Sequence, residues 1–137
     1  MSERWEGGCL CGRLRYEVQG GPKGDVGHCH CSMCRRASGA PVVTWFTIDK
    51  DRFRWTQGEP TVFKSSAKGT RTFCGRCGSP ITFHHTDYAA DLDVTVCSLD
   101  RPEDMPPTLQ IWTGNRLPWL HLDEHLPQRE GGLDSGA

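Results

Sequence analysis

Gly8-Cys9-Leu10-Cys11-Gly12 and Cys74-Gly75-Arg76-Cys77-Gly78 decide how this chain must fold. Cysteines two or three residues apart are awkward disulfide partners but ordinary zinc ligands. Cys9 and Cys11 are separated by one residue, which predicts that both point to the same face of an extended segment. Gly7, Gly8 and Gly12 are expected to let the backbone bend around an ion. In the second pair the glycines supply the unusual backbone angles of a metal knuckle. Cys9, Cys11, Cys74 and Cys77 together predict a closed, tetrahedral, structural zinc site. Such a site would tie the N-terminal strand to a loop far along the chain.

A third group, Cys29-His30-Cys31-Ser32-Met33-Cys34, offers three more thiols, and only Cys97 stands alone. Zinc on three protein ligands keeps one position for water or substrate. Three thiolates on a divalent ion sum to about -1. That makes the metal a weak Lewis acid, poorly suited to generating hydroxide. It suits a thiol instead, promoting its deprotonation and leaving it electron-rich. Cys29, Cys31 and Cys34 are therefore the candidate catalytic group, with a sulfur-containing ligand in the open position. His28, His30 or Cys97 would make the site structural by closing it. His30, between two ligands, is expected to point away, and His28 is better placed. Cys97 ends the strand-like run Asp93-Val94-Thr95-Val96-Cys97 and is expected to be a buried small hydrophobe.

Arg35 and Arg36 follow Cys34 directly, and in one short turn at least one should face the metal. The planar arginine fork suits carboxylates, and a glutathione-like thiol carries two. With His28, these are the candidate substrate contacts. His84 and His85 are consecutive in a strand, so only one could line a given site, and structural or surface roles are expected. Trp112 and Trp119 read as core or pocket wall. His121 lies beside them, and Asp123 and Glu124 are acidic loop residues without a clear partner.

The rest of the chain reads as mainly β, antiparallel, with little helix. Leu14, Tyr16 and Val18 alternate with Arg13, Arg15 and Glu17, a period of two. Residues 42–48 are β-branched and aromatic and predict a buried strand. Residues 53–55, 61–64, 70–73, 81–83, 92–96 and 109–112 are further short strands between Gly, Pro, Asp and Ser punctuation. Ser32 to Ala37 predicts one short helical turn. Residues 1–129 form a single zinc-binding domain, and 130–137 are expected to be a disordered tail.

Bulk properties narrow the function. With 137 residues, 36% of them hydrophobic, and a mean hydropathy of -0.56, the chain makes one domain with a modest core. A net charge of -1 and a pI near 6.6 give no electrostatic case for nucleic acid or a membrane surface. The Met1–Glu6 start lacks the apolar run of a signal peptide, so the expected location is the cytoplasm. There, eight cysteines point to metal rather than disulfides.

The order Cys-x-Cys, Cys-x-Cys-x-x-Cys, Cys-x-x-Cys resembles the glutathione-dependent formaldehyde-activating enzyme (GFA) family, also grouped with centromere protein V. The resemblance includes Cys31-Ser32-Met33-Cys34-Arg35-Arg36, Phe73-Cys74-Gly75-Arg76-Cys77-Gly78, Ser98-Leu99-Asp100 and the segment Trp119 to Pro127. It implies a β-tent fold of antiparallel strands. It also implies two zinc sites, with Cys9, Cys11, Cys74 and Cys77 structural and Cys29, Cys31 and Cys34 open to partial occupancy. The implied activity is of carbon-sulfur lyase type, joining formaldehyde to glutathione as S-hydroxymethylglutathione. A small thiol and a small aldehyde are then the partners, and the resemblance allows a homodimer. A thiol carrier without turnover, a zinc-stabilised interaction module, and a reductase using Cys97 as nucleophile are the alternatives.

Overall fold

Leu14, Tyr16 and Val18 are all buried, as the period of two requires, and the fold grows around them. The computed structural model describes residues 3–132. In chain order the strands are β1 (Arg4–Gly8), β2 (Arg15–Gln19), β3 (Val26–Cys29), β4 (Val43–Asp49), β5 (Phe53–Gln57), β6 (Thr61–Lys64), β7 (Gly69–Phe73), β8 (Pro80–His85), β9 (Asp91–Thr95) and β10 (Leu109–Ile111). One α-helix, α1 (Ser32–Ser38), follows β3. This is the mainly β architecture expected from the sequence, and the eight strand segments read there all form.

Two strands carry no clear sequence signal. β1 reads RWEGG and β3 reads VGHC, and glycine weakens strand propensity. The glycines have another use. A Cβ on Gly7 would sit 2.4 Å from the Tyr16 hydroxyl and 2.5 Å from the Ser98 carbonyl oxygen. Gly7 thus permits close approach rather than bending of the chain.

The strands form two sheets. β1-β2-β5 is a three-stranded sheet, and β10-β3-β4-β9-β8-β7-β6 is a seven-stranded one. All neighbours are antiparallel except β10 and β3, which run parallel. Successive strand residues point to opposite faces, so the large sheet has two distinct sides. On one, Phe46, Ile48, Ile81 and Val94 pack with Leu14, Tyr16 and Val18 of the small sheet. On the other, Trp45, Leu109 and Ile111 form a second apolar cluster. Burying each such side chain stabilises the fold by about 1.5–3 kcal/mol. Tyr16 also keeps its hydroxyl satisfied, 2.6 Å from Ser98 Oγ.

The C-terminal segment is fastened by its backbone. The Trp112 N–H donates to the Gly131 carbonyl at 2.8 Å, and that of Thr113 to Arg129 at 3.0 Å. The expected disordered tail falls mostly on residues 133–137, outside the described residues. Trp112 and Trp119 are exposed, which corrects the expectation of core or pocket wall. No helix among the described residues is long and apolar enough to cross a membrane.

Candidate metal centres and a neighbouring cavity

Cys9, Cys11, Cys74 and Cys77 converge, with their four sulfurs all within 4.8 Å of one another. Cys9 Sγ and Cys11 Sγ are 3.6 Å apart, and Cys11 Sγ and Cys74 Sγ 3.7 Å. Ligands on a tetrahedral zinc at its usual bond length would be separated by about 3.8 Å, so the set fits this ion. Cys9 to Gly12 form a tight turn rather than the expected extended segment, closed by the Gly12 N–H donating to the Cys9 carbonyl at 3.2 Å. Gly12 and Gly78 stand at φ 82°, where a side chain would strain each turn. A turn still serves, because it folds both sulfurs back toward one point.

Neutral donors surround these sulfurs. The Leu14 N–H reaches Cys9 Sγ at 3.2 Å, and the Cys77 N–H reaches Cys74 Sγ at 3.5 Å. Ser79 Oγ lies 3.2 Å from Cys77 Sγ and accepts from the Leu10 N–H at 3.0 Å, linking the two loops. Ser79 contacts pull the Cys77 thiol down to about 5, toward the thiolate a metal needs. Cys9 and Cys77 pack against the larger apolar cluster, and Cys74 is buried in it.

Cys29, Cys31 and Cys34 form a second group, their sulfurs also within 4.8 Å of one another. Cys29 Sγ and Cys34 Sγ are 3.5 Å apart. Here the strand-to-helix junction sets the geometry. Cys29 ends β3, Cys31 stands at the N-cap of α1, and Cys34 lies one turn in. The helix stops at Gly39, whose N–H donates to the Arg35 carbonyl at 2.7 Å. Ser38 Oγ meanwhile donates to the Cys34 carbonyl at 2.8 Å.

Three sulfurs this close cannot ionise alike. Contacts from Cys29 and Cys34 hold the Cys31 thiol low. The amides of Met33 and Cys34 also favour its thiolate, without a capping hydrogen bond. Contacts with Cys31 and Cys34, reinforced by burial, push Cys29 far up. A divalent ion would remove this conflict by stabilising all three as thiolates, so the donor set fits a metal. Cys29 and Cys34 are buried and Cys31 is half-buried, leaving that corner open to solvent.

The other sequence-predicted residues are placed as follows. Cys29 and His28 point to opposite faces of β3. His28 Nδ1 is 2.7 Å from Thr44 Oγ1, and burial lowers its basicity. His30 is buried, its Nε2 2.6 Å from Gln110 Oε1. Among the described residues, no His nitrogen joins the sulfurs of the second group. Arg35 is half-buried with an unpartnered Nε, and Arg36 is exposed. His84 Nε2 meets the Ala89 carbonyl at 3.0 Å, and His85 Nδ1 accepts from the Asp87 N–H, so both have local roles. His121, Asp123 and Glu124 occupy the C-terminal loops, where Asp123 Oδ1 accepts from the His125 N–H. The guanidinium that reaches the triplet is that of Arg71, with Nη2 3.7 Å from Cys34 Sγ. A single arginine in a short strand gave no signal in the sequence.

A cavity of about 700 Å3 opens beside β3 and β4, on the face away from the triplet. His28, Thr44, Cys97, Ser98, Arg15 and Asp100 are among its walls. Cys97 is exposed there, on a 3-10 turn (Val96–Ser98) that follows β9. This corrects the expectation of a buried small hydrophobe: the strand ends at Thr95 and the turn swings Cys97 outward.

Comparison with known proteins fits this geometry. A Halomonas elongata protein named for glutathione-dependent formaldehyde activation is 24% identical over 132 residues, covering 90% of this chain and 84% of its own. The crystal structure of a Rhodobacter sphaeroides protein is similar over 77% of this chain and 98% of its own, with 25% identity and a TM-score of 0.62. The family model described as glutathione-dependent formaldehyde-activating enzyme matches residues 4–115, a span that contains both cysteine clusters. The chain belongs to the glutathione-dependent formaldehyde-activating enzyme family.

Proposed function

We propose that this protein catalyses the reversible addition of a thiol to a small aldehyde, with glutathione and formaldehyde as the reference pair. The observation that carries this reading is the three-sulfur cluster with one half-buried corner, in a chain that also carries a four-sulfur cluster. Four donors complete a tetrahedron, whereas three leave a position for a reactant. Family membership supports the same pair of substrates.

Cys29, Cys31 and Cys34 would hold zinc, and zinc there supplies charge that favours the deprotonated form of an incoming thiol. The chain's own contribution is chiefly positional. The β3–α1 junction fixes the three sulfurs, and the apolar cluster of Trp45, Leu109 and Ile111 keeps water from their inner side. In the addition, sulfur forms a bond to the carbonyl carbon and the C=O π pair moves to oxygen. The thiol proton ends on that oxygen, so the adduct is a hydroxymethyl thioether and nothing is oxidised. Holding thiol and aldehyde together supplies much of the acceleration. The reaction class is that of a carbon-sulfur lyase read in reverse. Eight unpaired cysteines suit a reducing compartment such as the cytoplasm.

Exchange NMR on an equilibrated mixture of formaldehyde and glutathione tests this reading. Zinc-loaded protein in trace amount should speed exchange between free and adduct forms, and a folded Cys31→Ala variant should not. Unchanged exchange with the parent protein would refute catalysis of this pair and leave a thiol carrier as the better account.

A further inference from the structure

The two cysteine clusters differ in what donates to their sulfurs. Backbone amides and a serine hydroxyl serve the four-sulfur cluster. At the three-sulfur cluster a full positive charge is present, with Arg71 Nη2 3.7 Å from Cys34 Sγ. The placement of Arg71 is specified by neighbours. It stands directly opposite Phe83 in the β7–β8 register, and its guanidinium carbon lies 4.9 Å from the centre of that ring. Phe83 in turn packs against Trp45, with ring centres 6.4 Å apart. The next residue in the row, Asp93, faces Phe83 from β9, and its carboxylate accepts from Thr47 Oγ1 at 2.5 Å. A cation over an aromatic face is held there by the ring's quadrupole, which limits the directions its N–H groups can take.

Charge explains why such a group is needed at one cluster alone. Four thiolates on a divalent ion sum to about -2, and a closed cluster never has to admit another anion. Three thiolates sum to about -1, and this cluster must accept a further anionic sulfur to act on it. Arg71 brings the assembly to about zero before the ligand arrives.

We propose that Arg71 is a positioning residue of the second cluster, one that orients Cys34 and offsets the charge of its sulfurs so that an external thiolate can join them. The inference rests on the reading of Cys29, Cys31 and Cys34 as a metal site.

The test uses full-length protein loaded with cobalt(II), whose thiolate charge-transfer and d–d bands report both sites. The probe is 2-mercaptoethanol, which has no carboxylate. Its Kd is read from the change in the visible spectrum, and the Kd of the second cobalt from competition with a chelator. Arg71→Met should weaken one or both by about 10–100-fold, the usual scale for outer-sphere partners of a metal site, and leave the bands of the first cobalt unchanged. Arg71→Gln keeps an N–H donor without the charge and should weaken binding as well, so it serves if methionine prevents folding. Arg71→Lys keeps the charge on a different head group and should fall between the parent and Arg71→Met. Variants that bind thiol and second cobalt within about threefold of the parent would overturn the role of Arg71 alone, since surface changes without a role have effects of that size. A parent protein that takes up only one cobalt would overturn both this inference and the functional reading beneath it.

Discussion

The four-sulfur and three-sulfur clusters pack on opposite faces of one seven-stranded sheet, and under the proposed function the contrast between them separates what would hold the fold from what would act. The first joins two turns distant in sequence and is finished by neutral donors, with Ser79 touching both loops. The second is local, built within six residues of a strand-to-helix junction, and its distant partner is a cation. A cluster that staples must be complete. A cluster that reacts must stay short of one ligand and tolerate the added charge.

The sharpest way to break this contrast is Cys74→Ala. Structural zinc in small domains contributes about 10–16 kcal/mol, as much as or more than a typical domain's whole stability. The variant should therefore lose cooperative unfolding in near-UV circular dichroism, and a parent-like melt would show that the closed cluster is not the staple. Cys31→Ala should behave in the opposite way. It should bind one metal fewer and lose acceleration of formaldehyde–glutathione exchange. It should stay folded, with a stability loss smaller than that of Cys74→Ala and on the order of 3 kcal/mol, the scale on which a ligand well above its Kd stabilises a native state. A dilute chelator should sharpen the same distinction without mutation. Activity and one metal equivalent should disappear first, with the circular dichroism spectrum intact, because three donors hold an ion less tightly than four. Loss of both together would count against separate roles. Ser79→Ala removes a neutral hydrogen-bond partner and should lower stability by about 1 kcal/mol in a denaturant melt while leaving exchange unaffected. Smallest of all, Cys97→Ser should alter exchange by about twofold or less, the range of a tolerated surface substitution. A larger loss would bring the thiol on the cavity wall into the chemistry.

The grouping of the seven cysteines was legible in the sequence because metal-ligating cysteines leave a spacing signature. The same holds for Leu14, Tyr16 and Val18, where alternation marks the buried face of β2. Legibility stopped where the determinant was long-range. Arg71 lies 37 residues from Cys34, and only strand pairing places Phe83 beneath it. β1 and β3 escaped notice because glycine weakens strand propensity, and in β1 Gly7 serves a close contact instead. Cys97 was misread because an apolar run does not reveal that its last residue leaves the sheet. Trp112 was misplaced for a similar reason: its φ of 56° turns the chain at the end of β10.

Cys11 and Cys74 are 63 residues apart in sequence, and that separation bears on when a zinc staple between them would form. Contacts between distant parts of a chain demand loop closure and tend to form late in folding. Interactions absent from the transition state act on the escape rate from the native state rather than on the rate of reaching it. Zinc at the closed cluster should then leave the refolding rate nearly unchanged and lengthen the native lifetime. The metal would be less a guide for the folding chain than a latch fastened once the sheets have met.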